Sequence, residues 1–450
     1  MLSYSQAKQQ IERLWDHERI PGAFSSSQAG GKVPVFSLES LSKILARLGN
    51  PHHHLTSLHV AGSKGKGSTC AMIAQVLSEA GYRVGLYTSP HLYDLRERIR
   101  WVGRASSPGV VFGDEIGEDE FAWCFSRLAP VLADFPGVTF FEAMTAVAFL
   151  YFEHVGMDFV VLETGLGGRL DATNVCAACV NVLTPMDLEH TAVLGTSLSA
   201  IAGEKAAIIK PTSRAVVVAP QEASAARVIE NRCRRVGVRA AWVGGEIGFQ
   251  RRGDRLTVTV GGRVYDGIIL SLSGSCQAVN AACAVAAVDA LRNLGLVDID
   301  ETIVRRGLAS VFWPGRGEIL GGGPCVVLDV AHTRRSLEIL VEDVGQRFGG
   351  RKIVLIAGFS DDKDIKDLLP VLGRLTSRVL VTQARHPRAA RVSVGDLKQW
   401  LPSFNVDRCV SVEEAVCMAW REVGKEGVIV ITGSVFVVSE ARRLCQELAR

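Results

Sequence analysis

The sequence predicts an α/β protein made of two parallel-sheet domains, and three observations predict it. Short apolar runs bounded by glycine and proline alternate with stretches whose apolar residues return at helical spacing, the pattern of buried parallel strands covered by helices. At 450 residues the chain is longer than one ordinary core accommodates. Beyond Pro314 the alternation becomes regular, which places a boundary near residue 313 and predicts domains over 1–313 and 314–450.

From the N-terminus, MLSYSQAKQQIERLW reads as an amphipathic helix rather than a signal peptide. Residues 21–34, rich in small residues, are expected to form a mobile loop before a second helix over 38–48. His52, His53 and His54 follow Pro51 directly; consecutive histidines do not converge on one metal from a regular element, so a solvated loop is expected. Strands follow at 58–61, 84–89 and 159–163, with a buried helix over 140–151 and another strand over 179–184. Residues 214–270 read as a small β-rich excursion, and an alanine-rich helix returns over 276–294. In the second domain, Gly321-Gly-Gly-Pro324 is the expected turn into the first strand. Strands are expected at 326–330, 353–357, 379–382, 409–412 and 428–432, with helices over 336–348, 365–375, 394–400 and 412–423.

Composition excludes several function classes. Hydrophobic residues are 48% and charged residues 22%, ordinary for a globular chain, and the net charge of +3 implies no polyanion partner. No basic block is interleaved with aromatics, so nucleic acid is not expected. No apolar run approaches the ~20 residues that span a bilayer, so no membrane partner is expected either. The eleven cysteines are odd in number and scattered through apolar segments (Cys70, Cys283, Cys325, Cys417), which reads as reduced thiols in a cytoplasmic protein. Cys176-Ala-Ala-Cys179 lacks a second pair and runs into a strand, so packing is the expected role.

The chemistry begins at His59-Val-Ala-Gly62-Ser-Lys-Gly65-Lys66-Gly67-Ser68-Thr69. A strand, a glycine loop and a helix in succession aim backbone N–H groups and a helix N-terminus at a phosphate. Lys66 would reach the outer phosphates, and Ser68 or Thr69 a bound Mg²⁺. The strict G-x-x-x-x-G-K-[ST] pattern is not met, because Val60 stands at the first glycine position and Gly67 precedes Ser68. A flexible glycine turn is the bland alternative; two lysines among three glycines favour an anion between them. Downstream, Glu163 ends a buried strand and opens Thr164-Gly-Leu-Gly-Gly-Arg169-Leu-Asp171, where α/β sheets place ligands. Asp187-Leu-Glu189-His190 and Glu204-Lys205 follow, and His190 with Glu163 would offer Mg²⁺ a mixed site. Arg316 in Trp313-Pro-Gly-Arg316 and the group Asp329-Val-Ala-His332 mark the start of the second domain, and strand-end polar groups in both domains imply a closing cleft.

The order of these motifs resembles folylpolyglutamate synthase and the bifunctional dihydrofolate synthase, members of the Mur ligase superfamily, from about Leu38 to Ser434. The resemblance is carried by HVAGSKGKGST, YTSPHL with RERI, TFFEAMTAVAF, VLETGLGGRLDATNV, EHTAVLG, EKAAIIK, SCQAVNAA, WPGR, LDVAH, DKD and TGS. It implies a P-loop ATPase-like Mur ligase domain with a folate site, followed by a Rossmann-like glutamate ligase domain. It also implies an ATP-dependent ligase that phosphorylates a folate or dihydropteroate carboxylate and lets the amino group of L-glutamate attack the acyl phosphate.

The resemblance assigns roles by position. Gly62, Gly65, Lys66, Gly67, Ser68 and Thr69 would bind ATP, with Asn280 at the adenine, Arg316 at a phosphate and Asp329 at the ribose. Ser89, Glu163 and His190 would hold magnesium, joined by Lys205 once carbamylated. Lys66, Lys205 and His332 would be catalytic, and Thr139, Phe141 and Asp171 would hold the pterin. Five positions depart from the family pattern: Ser63-Lys64 for Thr-Asn, Glu189 for aspartate, Val330 for glycine and Thr333 for asparagine. A monomer is expected. A Mur-type ligase on a cell-wall precursor, a non-catalytic nucleotide-binding protein and a GTPase switch are the other readings; no N-K-x-D motif supports the last.

Overall fold

Apolar pentads such as Ser57–Ala61 and Phe159–Glu163 are buried along their whole length, so they occupy the middle of a sheet covered on both faces. The computed structural model describes residues 1–18, 37–103, 114–376 and 378–448. The expected loop at 21–34 lies outside the described residues. The chain divides into two compact units, Met1–Ser271 with Ala278–Phe312, and Leu272–Gln277 with Trp313–Arg450.

The first unit carries strands β1 (Ser57–Ala61), β2 (Val84–Tyr87), β3 (Ile99–Val102), β4 (Asp114–Glu115), β5 (Phe159–Glu163), β6 (Val180–Leu183), β7 (Ala215–Val218) and β8 (Ala240–Trp242). They form one sheet in the order β4-β3-β2-β5-β1-β6-β7-β8, parallel from β2 to β8 and antiparallel at the β3 and β4 edge. One face carries a core built from the helices Tyr4–Glu18, Leu38–Arg47, Glu118–Leu132 and Phe140–Val155; a second core joins β6 and β7 to the helices Leu198–Ala206 and Ala223–Val236. The helix Lys66–Glu79 is buried almost throughout, and Gly307 of the helix Glu301–Ala309 presses on it. A Cβ at Gly307 would lie 2.7 Å from the Cα of Val76. A separate antiparallel sheet joins β9 (Gly248–Arg252), β10 (Arg255–Val260) and β11 (Arg263–Ile269).

In the second unit, β12 (Arg316–Leu320), β13 (Cys325–Asp329), β14 (Ile353–Ala357), β15 (Arg378–Val381), β16 (Asn405–Arg408) and β17 (Val428–Thr432) form a sheet in the order β12-β13-β17-β14-β15-β16. All its neighbours are parallel except β12 with β13. Its helices pack through Leu337, Leu340, Val344, Leu369 and Leu397 onto Val327, Leu355, Val379 and Val430. No helix among the described residues is long and apolar enough to cross a membrane.

Several expectations need correcting. The β-rich excursion is shorter than 214–270: β7, the helix Ala223–Val236 and β8 extend the main parallel sheet, and the small sheet starts at Gly248. The strand expected at 409–412 lies earlier, at Asn405–Arg408, on a mostly exposed sheet edge that does not need an apolar run; Ser411 instead caps the helix Val412–Val423. Gly321-Gly-Gly-Pro324 joins β12 to β13 rather than opening the first strand. Pro51–His54 forms a 3₁₀ turn in which His52 is buried against Phe149, while His54 pairs with Glu153 at 2.6 Å, so only part of the triplet is solvated.

Candidate active site

β1 ends at Ala61, and after four intervening residues the helix Lys66–Glu79 begins. Two glycines in between are demanded by space. Gly62 has φ +154°, and a Cβ there would lie 1.9 Å from Thr184 Oγ1 and 2.9 Å from the Thr184 carbonyl oxygen. Gly65 has φ +81°, and a Cβ there would lie 2.2 Å from Asn280 Oδ1. The loop therefore lies directly on the end of β6 and on the helix Gln277–Asn293. The Ser63 and Lys64 amides donate to the Pro185 carbonyl at 2.9 and 3.1 Å, and Ser63 Oγ donates to the Asp187 carbonyl at 3.1 Å. Thr69 is the first residue whose amide finds an acceptor in this turn, Gly65 O at 2.9 Å. Lys66, Gly67 and Ser68 thus present amides with no intrahelical acceptor, an arrangement that receives an anion. Thr69 Oγ1 is buried here with no partner. Val60 and Gly67, which break the strict motif, lie inside β1 and the helix, where they leave this geometry intact.

Ser89 and Glu163 follow β2 and end β5, at the same carboxyl edge as the glycine loop. The Ser89 amide donates to Glu163 Oε2 at 3.1 Å, and Glu163 is 5% exposed. Lys205 is 1% exposed; its Nζ donates to the Gly62 carbonyl and to Glu189 Oε1, both at 2.8 Å. Lys64 Nζ stands 3.9 Å from the other Glu189 oxygen. Burial, then the charge of Lys66, pull Lys205 down to about 8 against the opposing pull of Glu189. Burial works the other way on Glu189, but Lys205, Lys66 and Lys64 outweigh it and hold the carboxyl at about 2. His190 is exposed, at φ +48°, ahead of the short helix Thr191–Leu194. Among the described residues, no three His, Cys, Asp or Glu side chains gather as a metal cluster.

The Gly165–Arg169 loop is tied at both ends. Asp171, 5% exposed, accepts the Leu166 amide at 2.8 Å through Oδ2 and the Thr173 amide at 3.0 Å through Oδ1. Burial raises its carboxyl, opposed by those bonds. Arg169 N donates to the Glu204 carbonyl at 2.8 Å, and a Cβ at Gly168 would meet the carbonyls of Glu204 and Lys205 within 2.9 Å. The Phe141 ring covers Gly165, where a Cβ would come 2.6 Å from Cζ, and lies 5.8 Å from the Tyr87 ring. Thr139 caps the Phe141 helix in a capping box with Glu142, which fixes the ring's approach.

In the second unit, Arg316 and Asp329 are register partners on β12 and β13. Asp329 accepts the Gly317 and Ala331 amides, both at 2.8 Å; burial raises its carboxyl, opposed by the Arg316 charge. His332 Nδ1 lies 2.8 Å from the Val330 carbonyl, which only accepts, so Nδ1 carries the proton. Val330 does not adopt a positive φ, so a valine fits where the family has glycine. Thr333 caps the helix Arg334–Phe348, a role open to the usual asparagine as well.

Sequence reasoning missed Glu189 as the ion partner of Lys205, and missed Thr184 as the wall behind Gly62. Glu189 was visible as a departure from aspartate, whereas Thr184 carries no sequence signal.

Comparison with known proteins places these features in a family context. Residues 315–435 match the Mur ligase, glutamate ligase domain. Over 445 residues the chain is 32% identical to the dihydrofolate synthase/folylpolyglutamate synthase of Bacillus subtilis (strain 168), covering 96% of this chain and 98% of that one. Folylpolyglutamate synthase of Mycobacterium tuberculosis complexed with ADP superimposes with a TM-score of 0.85 at 30% identity, covering 98% of both chains. Escherichia coli FolC in complex with DHPP and ADP gives a TM-score of 0.84 at 27% identity over 100% of both chains.

Proposed function

This chain belongs to the dihydrofolate synthase/folylpolyglutamate synthase family, and from that premise we propose that it uses ATP to add L-glutamate to reduced folates and to dihydropteroate. The observation that carries the reading is the joining, at one sheet edge, of the glycine loop, the buried Glu163 and the loop that Phe141 covers.

A carboxylate is a poor electrophile toward an amine. Transfer of the outer phosphoryl group of ATP to it supplies a leaving group, and attack by the glutamate amine then gives the amide and phosphate. Lys66 and the amides of Lys66, Gly67 and Ser68 hold the phosphates, with the unpartnered Thr69 hydroxyl beside them. Asn280, against Gly65, takes the adenine side. Arg316, Asp329 and His332 serve a phosphate, the ribose and the reacting groups. Phe141, Thr139 and Asp171 shape the pterin side.

Mg²⁺ binds through one or two carboxylates together with substrate phosphates and waters, so Glu163 and Ser89 beside a phosphate loop suit it, with His190 as a further ligand from its exposed loop. When bound, the ion offsets the charge that spreads over the transferred phosphoryl group. Lys205, drawn down to about 8, has an appreciable neutral fraction near pH 7, which is the form that attacks CO₂ to give a carbamate and release a proton. Carbamylation would turn this buried cation into a carboxylate for the metal, and Glu189 would give up its partner. All eleven cysteines are free thiols, which fits a cytoplasmic enzyme, and the working unit is taken as a monomer.

The test is phosphate release with MgATP and L-glutamate, with tetrahydrofolate in one reaction and dihydropteroate in another. Release in both supports two activities. Release with tetrahydrofolate alone restricts the enzyme to polyglutamylation, and silence in both overturns the reading.

A further inference from the structure

Behind the folate-side loop lies a buried polar chain that the proposed reaction does not use. His59 in β1 and Thr173 are fully buried, as is Cys176, and none of the three reaches solvent. His59 Nε2 lies 2.7 Å from Thr173 Oγ1, and His59 Nδ1 lies 3.7 Å from Cys176 Sγ. Thr173 Oγ1 donates to Asp171 Oδ1.

The direction of every bond follows from chemistry. The Asp171 carboxylate accepts from backbone amides on both oxygens, so the single Thr173 hydroxyl proton goes to it. Thr173 Oγ1 must then accept from His59, which puts the ring proton on Nε2. Nδ1 is left with a lone pair, and the Cys176 thiol donates to it. Burial holds the imidazolium down to about 3, so the ring is neutral and has one donor nitrogen to give.

We propose that Cys176, His59, Thr173 and Asp171 form a one-way hydrogen-bond relay that pins the Gly165–Arg169 loop to β1, and that His59 and Thr173 are positioning residues for the folate substrate. The pinned amide is that of Leu166, beside Gly165, against which the Phe141 ring lies so closely that a Cβ would come 2.6 Å from Cζ. The far end of the loop rests on the backbone of Glu204 and Lys205. A slack relay would therefore misplace Phe141's floor first and leave the nucleotide loop, held through Pro185 and Thr184, in place. The assignment of a folate substrate rests on the function proposed above; the relay itself does not.

Two readouts separate these. Hydrogen exchange of the peptide spanning 164–171, on the unliganded protein, reads the relay directly. Thr173→Val, which removes both bonds at nearly constant shape, should speed that exchange, while Thr173→Ser should restore the wild-type rate. Cys176→Ala, a milder change at the outer end, should speed it less. In turnover, Thr173→Val should raise the KM for folate about tenfold, as expected for one lost bond to a charged acceptor. ADP affinity should stay within twofold, and serine should rescue the KM. Unchanged exchange in both Thr173→Val and Cys176→Ala overturns the relay. An equal loss of ADP affinity in Thr173→Val reduces it to general stability. A wild type that does not turn over folate overturns the proposed function and leaves the exchange result standing.

Discussion

Gly65→Ala probes the nucleotide loop at the point where its backbone lies against the Asn280 side chain. The substitution forces an L side chain into φ +81° and sets its Cβ 2.2 Å from Asn280 Oδ1 and 3.0 Å from Asn280 Cγ. The left-handed conformation costs a non-glycine residue about 1–2 kcal/mol. Asn280 must also turn away, which forfeits the adenine contact proposed for it, about 1 kcal/mol for one hydrogen bond. The free loop relaxes to relieve this strain, and nucleotide binding must impose it again, so the cost appears in affinity. The sum, about 2–3 kcal/mol, predicts ADP binding weaker by roughly 30- to 150-fold, read by titration calorimetry. Asn280→Ala alone should lose only its own bond. The double variant should bind better than the two single losses combined would give, because the alanine methyl then meets no amide. Wild-type ADP affinity in Gly65→Ala, or strict additivity of the pair, would refute the argument that the loop is packed against Asn280.

Three further outcomes follow from the structure. Lys205→Ala should retain ADP binding and cooperative unfolding but lose turnover, and full activity in that variant would remove the carbamate from the mechanism. In the second unit, Arg442 Nε donates to both oxygens of the buried Glu318 at 2.9 Å, so Glu318→Ala takes from the half-buried guanidinium its charged acceptor; thermal unfolding should show a loss of about 1.5–3 kcal/mol. Asp94 is drawn from 3.8 down to about 2: burial opposes the shift, but the Arg96 amide, Tyr4 and Lys8 prevail. A carboxylate depressed on folding stabilises above its unfolded value, and that stability drains away as pH falls from about 3.8 to about 2, roughly 2 kcal/mol in all. Tyr4→Phe removes the bond to Asp94 at 2.9 Å, so it should lower stability at pH 7 by about 1–2 kcal/mol and flatten this acid limb in pH-dependent denaturation.

The parts of the fold that were legible in the sequence are those where burial is two-sided. β5, β14 and β17 are apolar runs buried throughout, and their apolar length alone marks them. β16, Asn-Val-Asp-Arg, is an edge strand whose side chains are largely exposed, so apolar content pointed instead to the next residues, which begin a helix. β4 escaped notice because it is two acidic residues at the sheet edge, and β3 because its four residues are interrupted by an arginine although three of them are buried. At the site, Lys66, Glu163 and Lys205 could be read because strand-loop-helix order puts them at carboxyl strand ends. The roles of Thr184, Glu189 and His59 depend on contacts across 16 to 122 positions of chain, and only the folded sheet brings those partners together.

The most direct test of the central claim follows one oxygen atom. A folate substrate carrying heavy oxygen in its reacting carboxylate is turned over with MgATP and L-glutamate, and the released phosphate is weighed by mass spectrometry. An acyl phosphate attacked at carbon leaves one heavy oxygen in each phosphate, which is the result this account predicts. Phosphate released without the label, while the folate gains a glutamyl residue, would contradict it.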